Sequence, residues 1–129
     1  MRMSIASGLL RQIIDHSERT PDREVCGLLL GDETAIVAVI PADNLADDPR
    51  DSFELDPAAQ FAALRAARGG GPAVIGHYHS HPNGRPDPSP RDAATASPGE
   101  LWMIVANGAA RLFRAAPQGA FAPVHLELL

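Results

Sequence analysis

The stretch from Ala73 to Ser80 constrains the fold more than any other part of the chain. It is apolar almost throughout until the histidines begin near its end, and Gly69-Gly70-Gly71-Pro72 precedes it. A short apolar run bounded by turn residues is typical of a strand that is buried on both faces. The sequence therefore predicts a sheet with this strand at its centre.

Apolar periodicity and turn residues place the other elements around that strand. An apolar stripe from Ile5 to Ile14 predicts an amphipathic helix, Asp56-Pro57 starts a second helix that Gly69 stops, and Ser89-Pro90 starts a third. Asn107-Gly108 predicts a hairpin turn. Besides the central strand, we expect strands at residues 25–30, 34–40, 53–55, 101–106, 111–115 and 124–128.

This order of elements predicts an α+β fold with a mixed β-sheet. Strands outnumber helices, and only some of the connections between strands pass through a helix. The 129 residues suit one domain that covers residues 1–129, which is long enough to bury a substantial core. We find no internal repeat that would suggest another architecture.

Composition excludes several classes of partner. Eleven basic residues are outnumbered by sixteen acidic ones, and the net charge of −5 at pH 7 argues against a nucleic-acid ligand. No segment approaches the roughly 18 apolar residues of a membrane span. Cys26 is the only cysteine, so we expect no intramolecular disulfide, a buried inert thiol and a cytoplasmic location.

The end of the central strand carries a pattern that favours a metal site. Because side chains alternate along a strand, His79 and His81 project from the same face, roughly 6 to 7 Å apart along the backbone. Zinc binds imidazole nitrogen and prefers four tetrahedral partners. Two strand histidines leave room for a third protein ligand and a water, and Asp92 is the candidate third ligand.

Each candidate in this region also has an alternative role. Ser89-x-x-Asp92, with Pro90 at the first helical position, matches the capping box, so helix capping alone could explain both residues. Glu24 precedes a predicted strand and could be a solvated acid. His77 could be a fourth ligand, a partner behind the ligands or a side chain that lines the cleft, and we favour the last.

Taken together, these residues resemble the signature of the JAMM/MPN+ metalloproteases, also called the JAB1/MPN/Mov34 domain. That signature is a glutamate before an apolar strand, then His-x-His, seven residues, serine, two residues and aspartate. All five polar positions match, at Glu24, His79, His81, Ser89 and Asp92. The neighbouring segments 24–31 and 76–82 look like those of the short bacterial members, except that His77 stands where many relatives carry an aromatic residue, usually tryptophan.

The resemblance implies a fold, a cofactor and a set of roles. It implies a cytidine-deaminase-like α-β-α sandwich with a mixed sheet, the JAB1/MPN fold, and the activity of a zinc metallopeptidase. It implies that His79, His81 and Asp92 hold Zn²⁺. It also implies that Glu24 hydrogen-bonds the water of the zinc and that Ser89 steadies the tetrahedral oxyanion.

The resemblance also implies a class of substrate. Small bacterial relatives are linked to ubiquitin-like sulfur-carrier proteins that end in Gly-Gly, and they hydrolyse the bond after the last glycine, which releases cysteine or trims the tail. Two alternatives stay open: a RadC-like domain, since 79–82 and 87–92 also resemble that family, and a non-enzymatic MPN scaffold that binds a partner protein. The Glu-x-Cys-Gly start argues against the first alternative, and the retention of all five polar residues argues against the second.

Overall fold

Seven strands and three α-helices make up the fold in the computed structural model, which describes residues 1–129. In chain order they are β1 (Arg2–Ile5), α1 (Ser7–Arg19), β2 (Cys26–Gly31), β3 (Ala35–Ala42), α2 (Pro57–Arg68), β4 (Ala73–Ser80), α3 (Pro90–Thr95), β5 (Leu101–Ala106), β6 (Ala109–Ala115) and β7 (Phe121–Leu128). A short 3₁₀ helix, Pro117–Gly119, joins the last two strands. No helix has the length and apolar character needed to cross a bilayer.

All seven strands belong to one mixed sheet, in the order β1-β3-β2-β4-β5-β6-β7. At its centre, β4 runs antiparallel to β2 and parallel to β5. The sheet curves until its two ends meet, because β1 pairs in parallel with both β3 and β7. The mixed sheet and the central position of β4 are therefore confirmed.

Helices cover both faces of this sheet. On one face, Ile13 of α1 packs in a buried cluster with Tyr78 and Met103, and on the other, Ala63 of α2 packs against Leu28. Because successive side chains of a strand point to opposite faces, Tyr78 and the histidine after it lie on different sides of the sheet. Tyr78 faces α1, so the histidine faces the side that carries α2 and α3.

Two predicted elements are wrong in the structure. Ile5 ends strand β1, and the first helix begins only at Ser7, because Met3 and Ile5 are fully buried in a strand that pairs with distant parts of the chain. The strand expected at residues 53–55 is a single bridge between Asn44 and Leu55. The bounds of β4 and β5 agree with the prediction, and α2 begins at Pro57 behind an Asp56 cap as expected.

Candidate metal centre and active site

Three side chains from two elements converge at the carboxyl end of β4. The Nε2 atoms of His79 and His81 lie 3.0 Å apart. The two carboxylate oxygens of Asp92 lie 3.3 Å from His79 Nε2 and 3.1 Å from His81 Nε2. All three side chains are buried, so these atoms face one another rather than solvent.

The start of α3 holds Asp92 in this position. The Ser89 hydroxyl accepts the Asp92 N–H at 3.0 Å, and the Asp92 carboxylate accepts the Ser89 N–H at 2.9 Å. These two bonds form the capping box that the sequence predicted, with Pro90 in the first turn. The Asp92 carboxylate therefore caps the helix and contacts the histidines at the same time. Its interpretation as part of a helix cap does not exclude its interpretation as a candidate metal ligand.

Glu24 also reaches this point, from the segment just before β2. It is 5% exposed, so it is not a solvated acid. One of its carboxylate oxygens lies within 4.8 Å of the ligand atoms of His79 and His81, and its Oε1 atom has no hydrogen-bond partner in the protein. An unpaired buried carboxylate oxygen is costly, and it marks a site where a further polar group would be stabilising.

The environment gives the two carboxylates opposite proton affinities. Burial raises the pKa of Glu24 to about 7, with Asp92 adding to the rise and His81 opposing it. Burial alone would also raise the pKa of Asp92, but hydrogen bonds from His79 and His81 outweigh it and hold that pKa well below its usual range. Near neutral pH, Asp92 is ionised and Glu24 can exchange a proton.

The two histidines differ in a similar way. Burial lowers the pKa of His79 and keeps its ring neutral. Burial would lower the pKa of His81 too, but its hydrogen bonds to Asp92 and to the Arg85 carbonyl outweigh that effect and raise it. The Arg85 oxygen accepts from His81 Nδ1 at 2.8 Å, which directs Nε2 of the same ring towards Asp92.

The donor set fits a metal ion. Ligand atoms bound at 2.0 to 2.1 Å in a tetrahedron lie about 3.3 Å apart. The Nε2 atoms of His79 and His81 are 3.0 Å apart, and each faces a different oxygen of Asp92, at 3.3 and 3.1 Å. Two imidazoles and one ionised carboxylate are a common ligand set for zinc, and the orphaned oxygen of Glu24 stands beside them.

His77 does not join the ligand atoms. Its ring packs 4.4 Å from Trp102 and 5.3 Å from Phe53, measured between ring centroids, and its Nδ1 atom has no partner. Burial lowers the pKa of His77 to about 3, so the ring is neutral. We expected it to line the catalytic cleft, but it lines a separate cavity of about 500 Å³ beside α2. It lies two residues before His79 on β4, and this step of roughly 6 to 7 Å along the strand carries its ring away from the ligand atoms.

Beside the ligand atoms, a polar cleft of about 380 Å³ opens to solvent. Glu24, His81 and Ser89 line it together with Pro82 and Pro90, and its lining contains no other apolar side chain. Arg50 and Arg91 also contribute to its walls, from the loop after β3 and from α3. The open side of the site is therefore next to the two residues that the resemblance makes catalytic.

Sequence reasoning missed the contribution of the loop between β3 and α2. Phe53 stacks on the His79 ring at 4.4 Å with an interplanar angle of 19°, and Arg50 and Asp51 line the cleft. The residues 43–51 have no periodicity, so their place beside the site could not be read from a pattern. Long irregular connections often carry function, which is the one sign that pointed to them.

Three other residues with reactive or titratable side chains stay outside the site. Cys26 is fully buried, and burial raises the pKa of its thiol to about 12, as expected for an inert cysteine. His16 contacts the Tyr78 hydroxyl on the other face of the sheet. His125 is exposed on β7.

Comparison with known proteins identifies the family. The family described as prokaryotic homologs of the JAB domain matches residues 6–117. This chain belongs to that family. It is 38% identical over 110 residues to a desampylase of Haloferax volcanii, with 80% of this chain and 79% of the relative covered. It is 33% identical over 109 residues to a probable TtuB-protein conjugate cleaving protease of Thermus thermophilus, with 84% and 73% covered.

Solved structures share its fold. A JAB1/MPN domain protein from Archaeoglobus fulgidus superposes with a TM-score of 0.65 at 22% identity, covering 98% of this chain and 96% of the other. The predicted α-β-α arrangement around a mixed sheet, the JAB1/MPN fold, is thus confirmed. The family and the relatives together make the chain a JAMM-type hydrolase rather than a non-enzymatic scaffold.

Proposed function

We propose that this chain is a zinc-dependent peptidase or isopeptidase that acts on a ubiquitin-like or sulfur-carrier protein. It cleaves after the C-terminal glycine of the carrier, which releases cysteine or trims the tail. The observation that carries the proposal is the meeting of a buried His-His-Asp donor set with Glu24 and Ser89 at one polar cleft. Residues 1–129 form one catalytic domain in this proposal, and the protein works in the cytoplasm.

In the proposal, His79, His81 and Asp92 hold the zinc ion, and Glu24 and Ser89 do the chemistry. Zinc, when bound, supplies a Lewis acid that polarises a carbonyl and lowers the pKa of water at the site. Two of its three ligands are supplied in the required states by the protein, since His79 is neutral and Asp92 is ionised.

Glu24 moves the proton. A pKa of about 7 lets its carboxylate accept a proton from the attacking water and then deliver that proton to the leaving nitrogen. Its unpartnered Oε1 atom is available for this exchange. General base and general acid are thus the same residue at two stages of the reaction.

Ser89 stabilises the charge that develops on the carbonyl oxygen of the substrate. Its Oγ atom accepts the Asp92 N–H, which fixes the oxygen and leaves the hydroxyl proton free to donate. The side chain is half-buried in the wall of the cleft. A positioned donor of this kind typically contributes on the order of 10² to 10³ in rate.

The cleft favours an extended tail as substrate. A volume of about 380 Å³, lined by polar side chains and two prolines, suits a short stretch of main chain better than a bulky apolar side chain. A flexible tail that ends in two glycines has this shape. The names of the two relatives, a desampylase and a protease that cleaves TtuB-protein conjugates, support conjugates of a small protein modifier as the substrate class.

The test is a cleavage assay with the zinc-loaded protein. Ubiquitin-like carriers ending in Gly-Gly are extended either by cysteine or a short peptide, or by an isopeptide bond to lysine, and products are measured by intact mass. We expect a product that ends at the second glycine, lost with a chelator and in Glu24→Gln. A wild-type protein with one zinc per chain that trims neither kind of substrate contradicts the proposal.

A further inference from the structure

The side-chain amide of Asn44 makes all the hydrogen bonds that an amide can make. Its Nδ2 atom donates to the carbonyl oxygens of Glu24 at 2.9 Å and Ser52 at 3.0 Å. Its Oδ1 atom accepts the N–H groups of Ala46 and Glu54, both at 3.0 Å. Two donors and two acceptor positions are the full capacity of asparagine, so this half-buried side chain is a junction between separate segments.

These bonds join the two ends of a loop, residues 44 and 54, which together we call its neck. The residues 44–54, which we call the 44–54 loop, leave β3 and return to α2, and a bridge between Asn44 and Leu55 joins their ends. The N–H of Leu45 also donates to the Glu54 carbonyl at 2.9 Å. Asn44 therefore ties both ends of the loop to each other and to the segment before β2.

The same loop holds the backbone of Glu24 on both sides. The Glu24 N–H donates to the Pro49 carbonyl at 2.6 Å, and the Glu24 carbonyl accepts from Asn44. The N–H and carbonyl groups of Glu24 bond to this loop, whereas Ser80 at the end of β4 holds the next residue, Val25. The position of its carboxylate thus depends on the 44–54 loop.

The loop reaches the metal centre as well. Phe53 stacks on the ring of His79, and Arg50 and Asp51 form part of the cleft wall. A change at the neck of the loop would consequently alter the position of Glu24 and of the cleft wall without removing any candidate ligand.

We propose that Asn44 is a positioning residue for the reaction, which acts by fixing the backbone of Glu24 through the neck of the 44–54 loop. The proposal rests on the proposed role of Glu24 as the proton carrier. Proton transfer depends on hydrogen-bond geometry, and a displacement of about 1 Å can cost about 10²-fold in rate.

Asn44→Asp is the sharpest variant. It has the same shape and keeps both acceptor contacts, with Ala46 and Glu54, but it loses the donors to Glu24 and Ser52. We expect kcat to fall roughly 10- to 100-fold with KM within about threefold and zinc content unchanged. Asn44→Ala, which adds no charge, should lose at least as much activity.

The control is Gln12→Glu, which makes the same amide-to-acid change on an exposed part of α1. It should leave kcat, KM and zinc content at the wild-type values. Wild-type kcat in Asn44→Asp and Asn44→Ala would overturn the proposal.

A double-mutant cycle separates positioning from general damage. In the Glu24→Gln background, the added Asn44→Asp change should lower the remaining rate by less than about threefold, because the residue it positions no longer transfers a proton. An equal loss in both backgrounds would show that Asn44 acts through the whole structure, and it would overturn the proposal.

A measurement without turnover tests the loop itself. Trypsin should cut after Arg50, which is exposed, at least about tenfold faster in Asn44→Asp than in the wild type, since the neck that restrains the loop is weakened. Unchanged cutting would contradict the neck assignment.

The failure of this proposal can be distinguished from the failure of the proposed function. If the wild type binds zinc but cleaves no carrier, the proposed function is wrong. If the wild type is active and Asn44→Asp is fully active, only the proposed role of Asn44 is wrong.

Discussion

At the scale of single residues, environment assigns different tasks to chemically similar groups. Glu24 and Asp92 are both buried carboxylates, but only Asp92 lies against the Nε2 atoms of two histidines and accepts a backbone N–H. Its pKa is held well below the usual range, while that of Glu24 is raised by burial to about 7. A pair of acids whose pKa values are pushed apart is the arrangement that supports one permanent anion and one proton carrier.

The proposed catalytic role of the Ser89 hydroxyl can be separated by mutation from its role as a helix cap. Glycine at an N-cap costs only a few tenths of a kcal/mol relative to serine, whereas alanine costs about 1 kcal/mol. We therefore expect Ser89→Gly to fold almost like the wild type and to keep zinc, but to lose about 10² to 10³ in kcat. Steady-state kinetics with metal analysis checks this, and near wild-type turnover in Ser89→Gly would exclude the hydroxyl from the reaction.

His77 gives a contrasting prediction. Its ring is neutral, packs against Trp102 and Phe53, and leaves Nδ1 without a partner. His77→Phe should keep one zinc per chain and raise the free energy of unfolding by about 1 kcal/mol, because it removes an unsatisfied buried nitrogen. Urea unfolding and metal analysis test both points, and loss of zinc in this variant would make His77 a ligand after all.

At the scale of elements, the alternation along β4 separates two polar contacts. His79 faces the candidate metal centre, while Tyr78 faces α1, where its hydroxyl lies 2.7 Å from His16 Nδ1. Burial raises the pKa of Tyr78, so its hydroxyl stays protonated and can donate to the neutral imidazole. This bond joins α1 to the central strand on the side opposite the site.

The contact between α1 and β4 predicts a pH dependence of stability. Burial, with a smaller effect of Arg19, lowers the pKa of His16 in the folded protein. The unfolded chain takes up this proton as the pH falls through about 6.5, whereas the folded chain resists it, so the free energy of unfolding should decrease below that pH. Above that pH both states are neutral and the effect is absent.

Comparing wild type with His16→Asn isolates this effect from the other histidines. Urea unfolding of both proteins, stripped of metal, at pH 7.5 and pH 5.5 measures it. The variant should lose less stability between the two pH values than the wild type. Equal losses in the two proteins would show that His16 titrates alike in the folded and unfolded states.

The elements that sequence predicted well are those whose pattern is local. β4 is a short apolar run between glycines and a proline, and α2 has an aspartate cap followed by proline. Strand β1 was not predicted, because its four residues continue into the apolar stripe of α1. Only its pairing with β3 and β7 makes these residues a strand. The prediction of a strand at residues 53–55 was wrong because the side chain of Asn44 hydrogen-bonds to this segment in place of a neighbouring strand, which leaves a single bridge.

At the scale of the whole molecule, the closed sheet brings distant residues to one place. Local rules predicted that His79 and His81 share a face and that Ser89 and Asp92 cap a helix, whereas Glu24 entered the candidate site only through the resemblance to the JAMM/MPN+ family. The spacing could not predict the 44–54 loop, since Asn44 and Phe53 reach the site only through the pairing of β2 with β3 and β4. Their contribution depends on tertiary contacts that no sequence period encodes.

We propose that one buried centre, formed by His79 and His81 at the end of β4 and by Asp92 of α3, holds zinc for hydrolysis. The measurement that tests it most directly is metal content per chain, by mass spectrometry on tag-free protein, for the wild type, His81→Ala, Asp92→Ala and Glu24→Gln. We expect about one zinc in the wild type and in Glu24→Gln and almost none in the other two, because removing one of three ligands costs most of the affinity. A wild type that stays free of zinc after reconstitution, or an Asp92→Ala variant that retains it, would contradict the claim.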